Sequence, residues 1–278
     1  MSEILVVANE TLAGRRLREL VEKKAKVNPS LSIRLVIPQS IPRRGSVIYL
    51  ESVRDAAQVR LDLALAVLEE LGFEASGEIG DSDPFSATMD AIADRKPDEI
   101  VISTLPSTAS GWLRRDLVER VAEASGIAVQ HVISDLDEDS PANDTTLVVA
   151  NRTASSSELI AHLSELARSS TAPLFIVVVP ALGGDARSAA VAQVHLTEVL
   201  ARLREAGLTV AGLVGDSDPF TATINALQFF RVSRVVISTL PETKSGWLRA
   251  DLVERVRRYA ACPVEHVVAG AGDAVTAN

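Results

Sequence analysis

A single cysteine, Cys262, stands in 278 residues, which excludes an internal disulfide and any cysteine-built metal cluster. The four histidines lack ligand spacing, so no metal-binding set is read from the sequence. Aromatic residues are few, at six Phe, two Tyr and two Trp, which leaves no stacking platform for bases. Lys and Arg form no block and the net charge is −9, so the footprint needed to hold a polyphosphate backbone is missing and a nucleic-acid partner is not expected. The longest apolar runs, such as residues 174–179, fall far below the roughly 20 residues that span a bilayer. The N-terminal MSEILVVANE lacks the basic stretch and apolar core of a signal peptide, and a cytoplasmic protein without a membrane partner is expected.

What the chain does contain, it contains twice. GDSDPF at residues 80–85, VISTLP at 101–106, SGWLR at 110–114, DLVERV at 116–121 and His131-Val132 recur at a constant offset of 135, from Asp81 to Asp216 and from His131 to His266. The identities gather at strand ends and on one helix, which is where function is to be sought. LVVAN at residues 5–9 pairs with LVVAN at 147–151 at an offset of 142, so the first copy holds seven extra residues before GDSD. The candidate for that insertion is the segment around residues 39–46, with Arg43 and Arg44. The second copy has Gly183-Gly184-Asp185 there.

Composition and period give the architecture. A 47% hydrophobic content made mostly of Val, Leu, Ile and Ala suits buried parallel strands. Strands are expected at residues 4–8, 33–37, 75–79, 100–102 and 129–133, then at 146–150, 174–179, 210–214, 235–237 and 264–268. Helical period lies between them, most clearly over 54–71, where Leu61, Leu65, Leu68 and Leu71 share one side and Gly72 follows as a left-handed cap. The expected fold is α/β: two tandem Rossmann-like domains, residues 1–137 and 146–278, each a five-stranded, mainly parallel sheet with helices on both faces. An acidic, turn-rich linker at 138–145 joins them.

Several residues carry candidate chemistry. Ser103-Thr104 and Ser238-Thr239 leave the carboxyl end of the fourth strand, where doubly wound sheets place ligands; they are either ligand hydroxyls or a polar turn. Ser110-Gly111 and Ser245-Gly246 offer donors at the next helix start. Trp112 and Trp247, at the start of the last helix, either cover a ligand ring or pack against protein. Beside them, Arg114 and Arg249 can neutralise an anion. Arg120 and Arg255 read as i, i+4 ion pairs with Asp116 and Asp251. Asp83 and Asp218, each followed by Pro, read as N-caps, whereas Asp81 and Asp216 remain candidates for a ligand hydroxyl. A hydrolytic set of Asp81, Ser103 and His131 is disfavoured, because no G-x-S-x-G surrounds the serine and the histidine lies within a strand. No catalytic residue is assigned.

In order and pattern, the segments resemble the universal stress protein family along most of the chain. Residues 4–9 look like that family's first strand, 80–85 like its third-strand exit, 98–102 like its fourth strand, and 116–121 with the strand that follows like its last helix and fifth strand. The resemblance implies a small ligand, ATP or AMP, held at the strand ends. Asn9 and Asn151 stand where nucleotide-binding members usually carry Asp, and the glycine-rich loop G-x2-G-x9-G-S/T is replaced by Ser103, Pro106 and Asp116, matched by Ser238, Pro241 and Asp251. Proline has no N–H to offer a phosphate and Asp repels one, so the ligand stays unidentified. The resemblance also implies pairing through fifth strands, here as an internal pseudo-dimer with His131 and His266 at the seam, and further homodimerisation is open. The expected function is non-enzymatic small-ligand binding in a stress or signal response. A scaffold that has lost its nucleotide and a phosphoanhydride hydrolase are the alternatives. If one copy binds, Arg43 and Arg44 favour the first.

Overall fold

The computed structural model describes residues 2–12, 14–40, 50–106, 116–135, 144–241, 246–249 and 251–270, in two compact units with a boundary at Asp144. The first unit runs β1 (Ser2–Val7), α1 (Arg15–Val27), β2 (Leu31–Pro38), α2 (Leu50–Glu70), β3 (Glu74–Gly80), α3 (Pro84–Asp94), β4 (Glu99–Thr104), α4 (Leu117–Ser125) and β5 (Val129–Ile133). The second runs β6 (Asp144–Val149), α5 (Ser157–Ser169), β7 (Pro173–Pro180), α6 (Ala186–Glu205), β8 (Val210–Gly215), α7 (Pro219–Phe229), β9 (Arg234–Thr239), α8 (Gly246–Arg249), α9 (Leu252–Tyr259) and β10 (Val264–Val268). Strand β6 begins two residues earlier than expected, so Asp144 and Thr145 belong to the sheet and not to the linker.

Each unit holds one five-stranded sheet, ordered β3-β2-β1-β4-β5 and β8-β7-β6-β9-β10, with every pairing parallel. These are tandem Rossmann-like domains. The three inner strands are buried on both faces, which is why they read as unbroken Val/Ile runs, while edge strand β3 alternates exposed and half-buried residues. One face of the first sheet packs Val6, Ile33, Leu35 and Val101 under Leu17 and Val21 of α1 and Leu61 of α2. The other packs Leu5, Ile100 and Ile102 under Ala87 and Ala91 of α3 and Leu117 and Val121 of α4. Burying each of those branched side chains contributes about 1.5–3 kcal/mol.

Two of the repeated residues are explained by packing alone. A Cβ on Gly80 would lie 2.5 Å from the Cβ of Ala87, and one on Gly215 would lie 2.6 Å from the Cβ of Ala222. The glycine that opens GDSDPF therefore lets the following helix cross close over the strand. Gly72 takes φ +79° and ends α2, as its position after the leucine repeat predicts.

Candidate functional site

In each sheet the strand order reverses between the first and fourth strands, β1/β4 and β6/β9, and the carboxyl ends of those strands carry the repeated polar residues. Ser103 and Thr104 are both buried, and strand alternation sends their hydroxyls to opposite faces. Thr104 Oγ1 lies 2.9 Å from His131 Nε2, on the face covered by α3 and α4. Ser103 Oγ lies 3.5 Å from Ser134 Oγ on the other face, where Thr11 Oγ1 donates to the Ser103 carbonyl at 3.1 Å. His131 thus meets Thr104 and not Ser103, and Asp81 is engaged elsewhere.

The second unit repeats the threonine–histidine pair, with Thr239 Oγ1 2.8 Å from His266 Nε2. Thr239 spends its own proton on the Leu240 carbonyl at 2.9 Å, so Nε2–H of His266 is the donor in the pair. Burial holds both imidazoles below their ordinary value, and Arg257 adds repulsion at His266. The pairs are neutral pins between adjacent strands.

Asn9 and Asn151 are buried and fasten the first strand to the second. Asn9 Nδ2 donates to the Pro38 carbonyl and to Ser40 Oγ (2.8 Å), and Asn151 Nδ2 donates to the Pro180 carbonyl at 2.6 Å. A carboxylate has no proton to give these carbonyls, which accounts for Asn where the family resemblance leads one to expect Asp.

The copies differ one step further in. Ser134 of the first unit corresponds to Ala269 of the second; their N–H groups donate alike to Thr104 and Thr239 carbonyls at 2.9 Å. Gly14 corresponds to Ser156, and a Cβ on Gly14 would meet Ser134 Oγ at 2.8 Å. One hydroxymethyl group is therefore supplied from β5's end in the first copy and from the start of α5 in the second. The exchange removes the partner of Ser238. Ser238 Oγ and Thr153 Oγ1, the counterparts of the bonded Ser103 and Thr11, are buried with no partner among the described residues, as is Asn9 Oδ1.

The GDSDPF segments hold themselves. Asp81 Oδ1 accepts from Asp83 N–H at 2.7 Å and Asp216 Oδ1 from Asp218 N–H at 2.8 Å, closing the turn before the helix. Asp83 and Asp218 cap α3 and α7 through Ser86 N–H (3.1 Å) and Thr221 N–H (3.0 Å), as expected. Desolvation raises the Asp218 carboxyl, but the Thr221 hydroxyl and N–H, the charge of Arg255 and Phe220 N–H outweigh it and leave it below the usual range. Arg120 and Arg255 do not form the expected i, i+4 ion pairs: their guanidinium groups lie 4.1 Å over Phe85 and 4.0 Å over Phe220. The reason is local. Asp116 and Asp251 take φ +48° and +51°, left-handed backbone at the N-caps of α4 and α9, with no side-chain cap.

Trp247 is half-buried and sits with Gly246 and Arg249 in the four-residue α8, not on the last helix, which begins only after Asp251. Arg43, Arg44, Ser110, Gly111, Trp112, Arg114 and Ser245 lie outside the described residues.

A cavity of about 220 Å³ opens in the second unit between the exit of β6 and the first turns of α6. Leu182, Val191 and Ala192 give it an apolar wall, Arg152 and Arg187 stand at its rim, and His195 Nε2 donates to the Asn151 carbonyl at 3.0 Å. Apart from Asn151, these residues are absent from the candidates read in the sequence, because only Ala192, the counterpart of Ala57, is repeated: His195 corresponds to Arg60, whose burial pushes it down to about 10 against the opposing charge of Glu10. Among the described residues, no group of three His, Cys, Asp or Glu side chains is placed to hold a metal, and no helix is long and apolar enough to cross a membrane.

No family model matches the sequence and no curated protein does. Among solved structures, the chain is similar to a universal stress protein from Archaeoglobus fulgidus, at 14% identity over 96% of this chain and 97% of that one, with a TM-score of 0.36. It is also similar to a universal stress protein family protein from Arabidopsis thaliana with AMP bound, at 17% identity over 50% of this chain and 95% of that one, TM-score 0.35. A functionally unknown protein from Pseudomonas aeruginosa matches at 17% identity over 97% and 93%, TM-score 0.29.

Proposed function

We propose that this is a tandem universal-stress-type protein that binds a small polar ligand, a nucleotide first among them, without catalysing its turnover, and acts in a cytoplasmic stress or signal response. One observation carries the reading: Ser238 Oγ and Thr153 Oγ1 are buried and without a partner among the described residues at the switch point of the second sheet. A buried hydroxyl without a partner costs about 1–3 kcal/mol, and such a group calls for a polar atom from outside the chain. The same positions in the first unit are bonded internally, which moves the preferred site from the first copy to the second. The non-enzymatic part rests on the neutral threonine–histidine pins, which have no orienting carboxylate among the described residues, and on the turn-closing role of Asp81 and Asp216.

The scaffold reading has its own support in the first unit, where the Asn9 amide N–H groups, Thr11 and Ser103 are spent on the protein itself. Thermal melting against a nucleotide panel separates the two. A ligand at about 100 times its Kd adds about 2.7 kcal/mol of stability, and Ser238→Ala is expected to remove that gain while Ser103→Ala keeps it. No shift with any nucleotide leaves the scaffold reading standing. Phosphate release above the buffer blank, lost in Thr239→Val, would instead establish the hydrolase.

A further inference from the structure

The apolar wall of the second unit's cavity continues outward onto solvent. Leu182, Val191 and Val194 are 68%, 52% and 62% exposed, whereas the residues of α2 that correspond to Val191 and Val194, Ala56 and Val59, are 0% and 1% exposed. The second copy has thus enlarged and kept an aliphatic face that water touches. Exposed aliphatics beside a concave wall mark a binding surface.

Arg152 and Arg187 bring two guanidinium groups to the rim in a chain of net charge −9. The acid nearest them in sequence, Asp185, accepts from Ser188 N–H at 2.7 Å as the cap of α6, and that bond holds its carboxyl below the usual range. His195 gives its Nε2 proton to the Asn151 carbonyl, which fixes the ring in the cavity wall. Size sets the remaining limit: about 220 Å³ is below the roughly 300–1,000 Å³ of pockets that take drug-sized ligands.

We propose that this cavity is a site for a small amphiphilic carboxylate, its head held by Arg152 and Arg187 and its aliphatic body laid against Leu182, Val191 and Ala192. Planar guanidinium groups match a carboxylate through paired N–H donors, and the apolar wall supplies the burial that a bare anion such as acetate cannot exploit. The cavity lies on the α6 side of the sheet, as the Ser238 hydroxyl does, but neither Ser238 nor Thr153, the residues that carry the proposed ligand-binding function, lines it.

Octanoate is the probe, titrated into the full chain and followed by calorimetry and by the methyl resonances of Leu, Val and Ala. Saturable binding at one site is expected, with shifts at Leu182 and Val191, while acetate and octanol each bind at least about tenfold more weakly. Arg152→Gln with Arg187→Gln is expected to weaken octanoate by about tenfold or more and leave octanol unchanged. Val191→Glu, at a half-exposed position that tolerates charge, is expected to abolish octanoate binding with an unchanged melting midpoint. No methyl shift up to about 10 mM octanoate, a concentration corresponding to under 3 kcal/mol of affinity, overturns the proposal. Equal binding by wild type and the double arginine variant, or octanol matching octanoate, also overturns it. A nucleotide titration of the same sample keeps the outcome separate from that at Ser238.

Discussion

His131 and His266 show how a residue's environment can set its role more firmly than its type. Both are held neutral by burial and by a hydroxyl partner on the neighbouring strand, so the folded state binds their protons later than the unfolded chain does. The sign follows: with folded values depressed below the ordinary value of about 6.5, stability is complete above that pH and falls as pH drops from it toward the folded values. Chemical denaturation from pH 7.5 to 5 should therefore show an acid loss that His131→Gln with His266→Gln diminishes; an unchanged slope in the double variant contradicts the pins. The exchange of hydroxymethyl groups gives a second test. Gly14→Ser should destabilise the first unit by about 1–2 kcal/mol through its clash with Ser134 Oγ, and adding Ser134→Ala should recover part of that loss, a coupling measurable in a double-mutant cycle. Strict additivity would mean that the two positions do not share the space.

Helix α9 and its counterpart α4 carry the element-scale lesson. Their left-handed starts at Asp251 and Asp116 reproduce, with an aspartate, the backbone that glycine takes freely, at a cost of about 1–2 kcal/mol relative to a residue without a Cβ. Asp251→Gly is expected to hold or raise the melting midpoint and Asp251→Ala to lower it; the reverse order contradicts a strain-based account. Strands and long helices were legible in the sequence because their signals are local: Val/Ile runs for β1, β2 and β7, the leucine spacing of α2, Asp-Pro at α3 and α7. The i, i+4 pairing of Arg120 with Asp116 failed because a single φ at Asp116 turns the first helical residue aside, and spacing alone does not report φ. The placement of Trp247 on the last helix failed for the same reason, since the bend at Asp251 separates α8 from α9.

Duplication defines the molecule as a whole, and repeated residues turned out to be a guide to the scaffold more than to the site. Gly80, Asp81, Asp83, Thr104 and His131 recur because each holds a turn, a crossing or a strand pair. The features that point to ligands lie where the copies differ: Ala269 against Ser134, Ser156 against Gly14, Val191 and His195 against Ala56 and Arg60. A search for shared residues passes over them, and their significance appears only when the fold shows which hydroxyl or wall each difference leaves unpartnered. The central claim is that the second copy, not the first, is the open one. Residue-resolved NMR of the full chain titrated with AMP and ATP tests it most directly. The account predicts shifts that saturate together at Thr153, Ser238 and Ala269 with Thr11, Ser103 and Ser134 unmoved; saturating shifts confined to Thr11, Ser103 and Ser134 would contradict it.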